Sequence, residues 1–155
     1  MFTPEDILYE DNHLLIVNKR CGDLVQPDPS GESALEDQIK AFVKRRDAKP
    51  GDVFLGVVHR LDRPVSGLVV FARTSKALAR LNEMFRTKEV HKTYWAIVGN
   101  CPPTEEGELV HWLVRNEKQN KSYAYDNEYI KYNGSEKNYQ HFVFLQYGQS
   151  YFLQL

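Results

Sequence analysis

The chain has 155 residues, 42% hydrophobic and 26% charged, with a formal net charge of −1, a size and balance that fit one packed domain. No apolar run is long enough to cross a bilayer, and the start, Met1-Phe2-Thr3-Pro4-Glu5-Asp6, is acidic where a secretory leader would be basic and then apolar, so a cytoplasmic protein is expected. Cys21 and Cys101 have no metal-type spacing and form no disulfide framework, which leaves two free thiols.

In chain order, the β-rich stretch from Leu8 to Lys19, broken at Glu10-Asp11-Asn12, predicts a hairpin. Gln26 to Gly31 holds two prolines and a glycine and reads as a loop. Ser33-Ala34-Leu35-Glu36 has the form of a capping box, and Leu35, Ile39, Phe42 and Val43 follow at helical spacing. A helix is therefore expected from Ala34 to about Arg46, ended by Lys49-Pro50-Gly51-Asp52. Ser66 to Arg73 reads as a buried strand. Thr74 is a suitable N-cap for a helix through about Arg86 with Leu78, Leu81 and Phe85 on one face.

Thr93 to Val98 predicts a strand with Tyr94, Ala96 and Val98 on one face and Trp95 and Ile97 on the other. Asn100 to Gly107 is a loop rich in proline and glutamate. Further strands are expected over Leu109–Arg115, Ser122–Tyr125, Tyr139–Tyr147 and Tyr151–Leu155, with a turn at Asn133-Gly134. The fold class is α+β, a mixed, mostly antiparallel sheet with flanking helices.

The run His59-Arg60-Leu61-Asp62-Arg63-Pro64-Val65-Ser66-Gly67-Leu68 sets one carboxylate, Asp62, between two guanidinium groups. Nearby positive charge favours the ionised form of a carboxylate, which is then available as a nucleophile or an electrostatic stabiliser. The plainer reading is a solvated loop with a surface ion pair. From Arg60 to Lys92 there are eight basic residues and three acidic ones, a surplus of +5. That surplus suits a phosphate backbone as well as it suits a solvated helix face. His59 reads as a hydrogen-bonded structural histidine, since a metal site needs three or four ligands.

The order His-Arg-Leu-Asp, then Ser-Gly-Leu-Val-Val-Phe-Ala-Arg-Thr, then Lys92-Thr93-Tyr94-Trp95-Ala96-Ile97-Val98, resembles the RluA class of RNA pseudouridine synthases. The resemblance extends back to Ile7-Leu8-Tyr9-Glu10-Asp11 and Leu14-Leu15-Ile16-Val17-Asn18-Lys19, with Gly22 and Val25, and forward through His111-Trp112-Leu113. It implies the catalytic-domain fold of that class and isomerisation of uridine to pseudouridine within ribosomal or transfer RNA, without metal or cofactor. By position Asp62 matches the family's catalytic aspartate and Tyr94 its pocket tyrosine. Arg60, Arg63 and Tyr94 would contact the substrate, and a guanidinium two residues before the aspartate suits the space left by a flipped base. The implied partner is an RNA stem-loop, with no membrane and no obligatory protein partner.

Two departures stand beside these matches. The family continues beyond a strand like Ser150–Leu155 into a Thr-Gly-Arg, His-Gln-Ile-Arg segment, whereas this sequence ends at Leu155. Residues 1–155 are accordingly expected to be one catalytic domain, C-terminally incomplete and without a preceding S4 domain. Such a chain would be prone to self-association at an unpaired strand. Arg20-Cys21 stands where the family usually has proline after Asn-Lys. A non-catalytic RNA-binding fragment is the alternative to the enzyme reading. A glycoside hydrolase ranks last because no second carboxylate is marked out near Asp62.

Overall fold

A computed structural model describes residues 2–101, 104–119, 121–125, 136–147 and 150–154. The elements divide into two compact units, Met1–Val90 and His91–Leu155.

In the first unit a short 3-10 turn at Pro4–Asp6 leads into β1 (Ile7–Glu10) and β2 (Leu14–Lys19). Helix α1 (Leu35–Arg46), β3 (Gly56–Val57), β4 (Gly67–Ala72) and helix α2 (Ser75–Arg86) follow. The sheet order is β1-β2-β4-β3, antiparallel throughout. Strand alternation sorts β2 and β4 into two faces. Leu15, Val17, Val69 and Phe71 are fully buried and join Leu35, Ile39 and Val43 of α1 in one core cluster. The opposite face carries α2. The register sets Gly56 opposite Ala72, and a Cβ added at Gly56 would lie 2.9 Å from Leu78 of α2.

Both predicted helices form, with different N-termini. Thr74 caps α2 as expected, its hydroxyl accepting from the Ala77 amide at 3.1 Å. The Ser33–Glu36 capping box does not form. The N-cap of α1 is Ala34, and the first amides of the helix, Leu35 and Glu36, donate instead to the carbonyls of Leu24 and Val25 at 2.7 and 3.1 Å. A loop from elsewhere in the chain satisfies the orphan donors, so the local side chains are released. Glu36 pairs with Lys40 one turn on.

The second unit contains β5 (Trp95–Val98), β6 (Glu106–Asn116), β7 (Lys121–Tyr125), β8 (Glu136–Tyr147) and β9 (Ser150–Gln154), in the order β5-β9-β8-β6-β7. Trp95 and Ile97 are exposed while Ala96 and Val98 are half-buried, the two-face split the sequence predicts. Strands β6 and β8 are longer than expected, pairing from Glu106↔Val143 to Leu113↔Glu136. The Asn133-Gly134 turn lies outside the described residues. The architecture is thus α+β with antiparallel sheets and two helices, as the sequence indicates.

Candidate active site

Asp62 sits on the connection from β3 to β4, in a turn closed by the Val65 amide donating to the Asp62 carbonyl at 3.0 Å. Its side chain is exposed. Two features fix this turn. Gly67 opens β4 at φ +140, a left-handed value that glycine tolerates and L side chains rarely adopt. Gly22, at φ +93, donates its amide to the Arg63 carbonyl at 2.8 Å, which joins a second loop to the turn.

A lysine at the end of β2 also holds this turn. Period-2 alternation carries Leu15 and Val17 into the core, and the next residue on that face is Lys19. Lys19 is completely buried. Its Nζ donates to the carbonyls of Val65 at 2.5 Å, Asp62 at 3.1 Å, and Arg20 and Arg63 at 3.2 Å each. The ammonium therefore gathers the backbone from Asp62 to Val65, together with the Arg20 carbonyl, around one charge. Burial pushes Lys19 below its ordinary value, against the opposing negative charges of Asp23 and Asp62. The signal in the sequence was the lysine at an inward position of an otherwise apolar strand face.

The sequence placed Asp62 between two guanidinium groups, and the structure assigns one of them elsewhere. Arg63 makes a bidentate pair with Glu32, Nη1 to Oε1 at 2.9 Å and Nη2 to Oε2 at 2.7 Å, and its Nε donates to the Gly22 carbonyl at 3.1 Å. The surface ion pair of the plainer reading does not form at Arg63, which clamps Glu32 instead. Arg60 is exposed and makes no ion pair among the described residues. His59 is structural, as expected: its Nε2 accepts the Val70 amide at 3.1 Å, and its ring stacks on Phe85 with centroids 5.0 Å apart. Tyr94 belongs to the second unit, one residue ahead of β5, and is 40% exposed.

An accessible carboxylate on a pinned turn, with an uncommitted arginine two residues away, suits carboxylate chemistry on an anionic partner. The chain also matches a known protein family. The model described as RNA pseudouridylate synthase matches residues 13–154, and the chain belongs to this family.

Ribosomal large subunit pseudouridine synthase D of Xylella fastidiosa is 40% identical over 98 residues, 61% of this chain and 28% of that protein. Ribosomal large subunit pseudouridine synthase C of Buchnera aphidicola is 35% identical over 115 residues, 74% of this chain and 35% of that protein. The solved structure of human RNA pseudouridylate synthase domain containing 4 has the same fold, with a TM-score of 0.74 at 23% identity over 97% of this chain and 58% of that one. The chain thus spans about a third of the length of the two bacterial relatives. Among the described residues no helix is long and apolar enough to cross a membrane.

Proposed function

We propose that this chain carries the catalytic aspartate of a cytoplasmic RNA pseudouridine synthase, with Asp62 in that role and ribosomal RNA as substrate. Family membership across residues 13–154 is the observation that carries the reading. Large-subunit ribosomal RNA is favoured over transfer RNA by the names of the bacterial relatives.

In the reaction the N1–C1′ bond of a uridine breaks and a C5–C1′ bond forms. The C5 proton is lost and N1 regains one, so product and substrate are isomers. Asp62 acts at the sugar, either by attacking it or by removing the C2′ proton to open a glycal route. Both need a carboxylate held in place before the substrate arrives, and the Lys19 cage supplies that rigidity at the backbone. Tyr94 stacks on the uracil and takes or relays the C5 proton. Arg60 fills the space of the extruded base, and Arg63 contributes to substrate binding from its clamp with Glu32.

The test is tritium release from RNA transcripts labelled at uridine C5. The chain is expected to release tritium from a large-subunit ribosomal transcript, and Asp62→Asn to release none while binding the transcript as the parent does. Equal release by the variant removes Asp62 from the reaction. Release from a transfer RNA transcript alone reassigns the substrate. A second reading, a non-catalytic RNA-binding segment, is motivated by the share of the relatives that the chain spans. It predicts no release by either protein, together with RNA binding that weakens steeply as salt rises.

A further inference from the structure

A groove of about 350 Å³ lies between the β1–β2 turn and the first half of α2. Its floor is apolar, formed by Leu14, Ala77 and Leu81, and its rim carries His13, Lys76 and Arg80. All three rim residues are exposed, and none makes an ion pair among the described residues.

The neighbouring cations differ. Arg73 is held by Glu10 at 2.8 Å and Asp47 at 3.8 Å, Arg46 by the same two acids, and Arg86 by Glu83. The carboxylate of Asp11 also lines the groove and accepts from the Tyr9 hydroxyl and the amides of His13 and Leu14 at 2.9, 2.7 and 2.6 Å, so that Lys76 and Arg80 set against it leave the groove a formal charge of +1. Of the basic residues from Arg60 to Lys92, Arg63, Arg73 and Arg86 are thus paired with acids, whereas Lys76 and Arg80 stand together at this groove without an ion pair among the described residues.

Two local rules are broken here in the same direction. Lys76 lies in the first turn of α2, where the helix dipole disfavours a cation, and no acid shares that turn. Lys76 and Arg80 stand four residues apart on one helical face, a like-charge spacing that destabilises an isolated helix. Unfavourable choices that converge on one concavity are characteristic of functional sites. The charge calls for an anion, and the apolar floor and volume fit a nucleotide-sized group better than a bare ion.

We propose that this groove is a second contact for the RNA strand, with Lys76, Arg80 and His13 on its phosphodiester backbone and one nucleoside over Leu14, Ala77 and Leu81. The proposal rests on the reading of the chain as an RNA-modifying protein, and it adds a place where the strand is held away from the reacting uridine. The β2–β4 register separates the two places. The Asp62 turn adjoins the Lys19↔Gly67 end, and the groove adjoins the Leu14↔Ala72 end, five residues along. At the usual strand rise that is about 17 Å. A strand held at both ends of this ladder is oriented before its base is extruded.

The experiment is a titration of the isotope-labelled chain with a ten-residue oligouridylate and, separately, with inorganic phosphate. The backbone amides of His13, Leu14, Ala77 and Leu81 are followed by NMR. Oligouridylate is expected to shift these amides at concentrations where phosphate leaves them unmoved. The double variant Lys76→Gln, Arg80→Gln is expected to bind the oligonucleotide about 5–10-fold more weakly, with the slope of log K against log salt reduced by about 1.4. A charge-matched control, Arg45→Gln with Lys49→Gln, is expected to change binding far less.

Equal weakening by both double variants overturns the site in favour of diffuse attraction. Equal shifts with phosphate reduce it to a simple anion site and overturn the strand contact. Shifts confined to residues 59–66 overturn the groove and leave the synthase reading intact. Shifts in the groove without tritium release dependent on Asp62 do the reverse.

Discussion

Lys19 has three protons on Nζ and four carbonyl oxygens within 3.2 Å, so the cage has more acceptors than donors. Replacement by methionine keeps an unbranched apolar stem, one atom shorter, but leaves those carbonyls facing hydrocarbon. Charge-assisted hydrogen bonds contribute roughly 1.5–3 kcal/mol each, and unsatisfied buried acceptors cost a comparable amount. Part of that is offset because the ammonium no longer has to be desolvated. Lys19→Met is therefore expected to lower unfolding stability by about 3 kcal/mol in urea titration. A loss under about 1 kcal/mol would mean that the cage is a passive contact. Arginine at the same position would not substitute. Its planar fork aims its donors differently from a compact ammonium, and the site is fully enclosed.

At the scale of elements, β1, the end of α1 and the end of β4 are joined by one ionic network. Arg46 pairs bidentately with Glu10 at 2.6 and 2.7 Å and stands over the Phe42 ring at 5.3 Å, and Arg73 reaches Glu10, Asp47 and the Asp11 carbonyl. Hydrogen bonding to Arg46 holds Glu10 below its ordinary value, with the Arg73 charge adding to the effect against the opposing influence of burial. Because the folded value is depressed, the stabilisation is complete above the unfolded glutamate value of about 4.3 and is lost as pH falls through the folded value.

Glu10→Gln is accordingly expected to lower stability at neutral pH by about 1–2 kcal/mol. Its thermal midpoint should fall less than that of the parent between pH 5 and pH 2, so that the two curves converge. Parallel curves over that range would show that Glu10 titrates alike in both states.

These long-range ties mark what the sequence could not reveal. Helical periodicity exposed α1 and α2, and apolar runs broken by turn residues exposed β2 and β4, because a buried face leaves a local signal. Strand β3 has two residues and no period of its own, and pairing with β4 alone defines it. The amides that begin α1 find their acceptors in Leu24 and Val25, a tertiary contact that a local capping pattern cannot announce. At the candidate site the Arg-Leu-Asp order made Asp62 legible. The partner of Arg63 is 31 residues away in Glu32, and the cage under Asp62 depends on a lysine 43 residues earlier. Charge order along a chain marks candidate groups more readily than it marks their partners.

At the scale of the whole molecule, the core cluster of Leu15, Val17, Val25, Leu35, Ile39, Val43, Leu55, Val69 and Phe71 found among the described residues falls in the unit Met1–Val90. The Lys19 cage, the Asp62 turn, the Glu10 network and the proposed strand groove fall there as well. A 90-residue stretch with its own core is within the size range of independently folding domains. Residues 1–90 alone are therefore expected to unfold cooperatively and to bind oligouridylate with the same dependence on Lys76 and Arg80 as the full chain. Tyr94 lies outside that fragment. If the tyrosine moves the C5 proton, the fragment should hold RNA yet release no tritium, and this separates binding from chemistry. A fragment that is unfolded by circular dichroism would show that the first unit needs the second. A folded fragment that releases tritium would remove Tyr94 from the reaction and confine the chemistry to the first 90 residues.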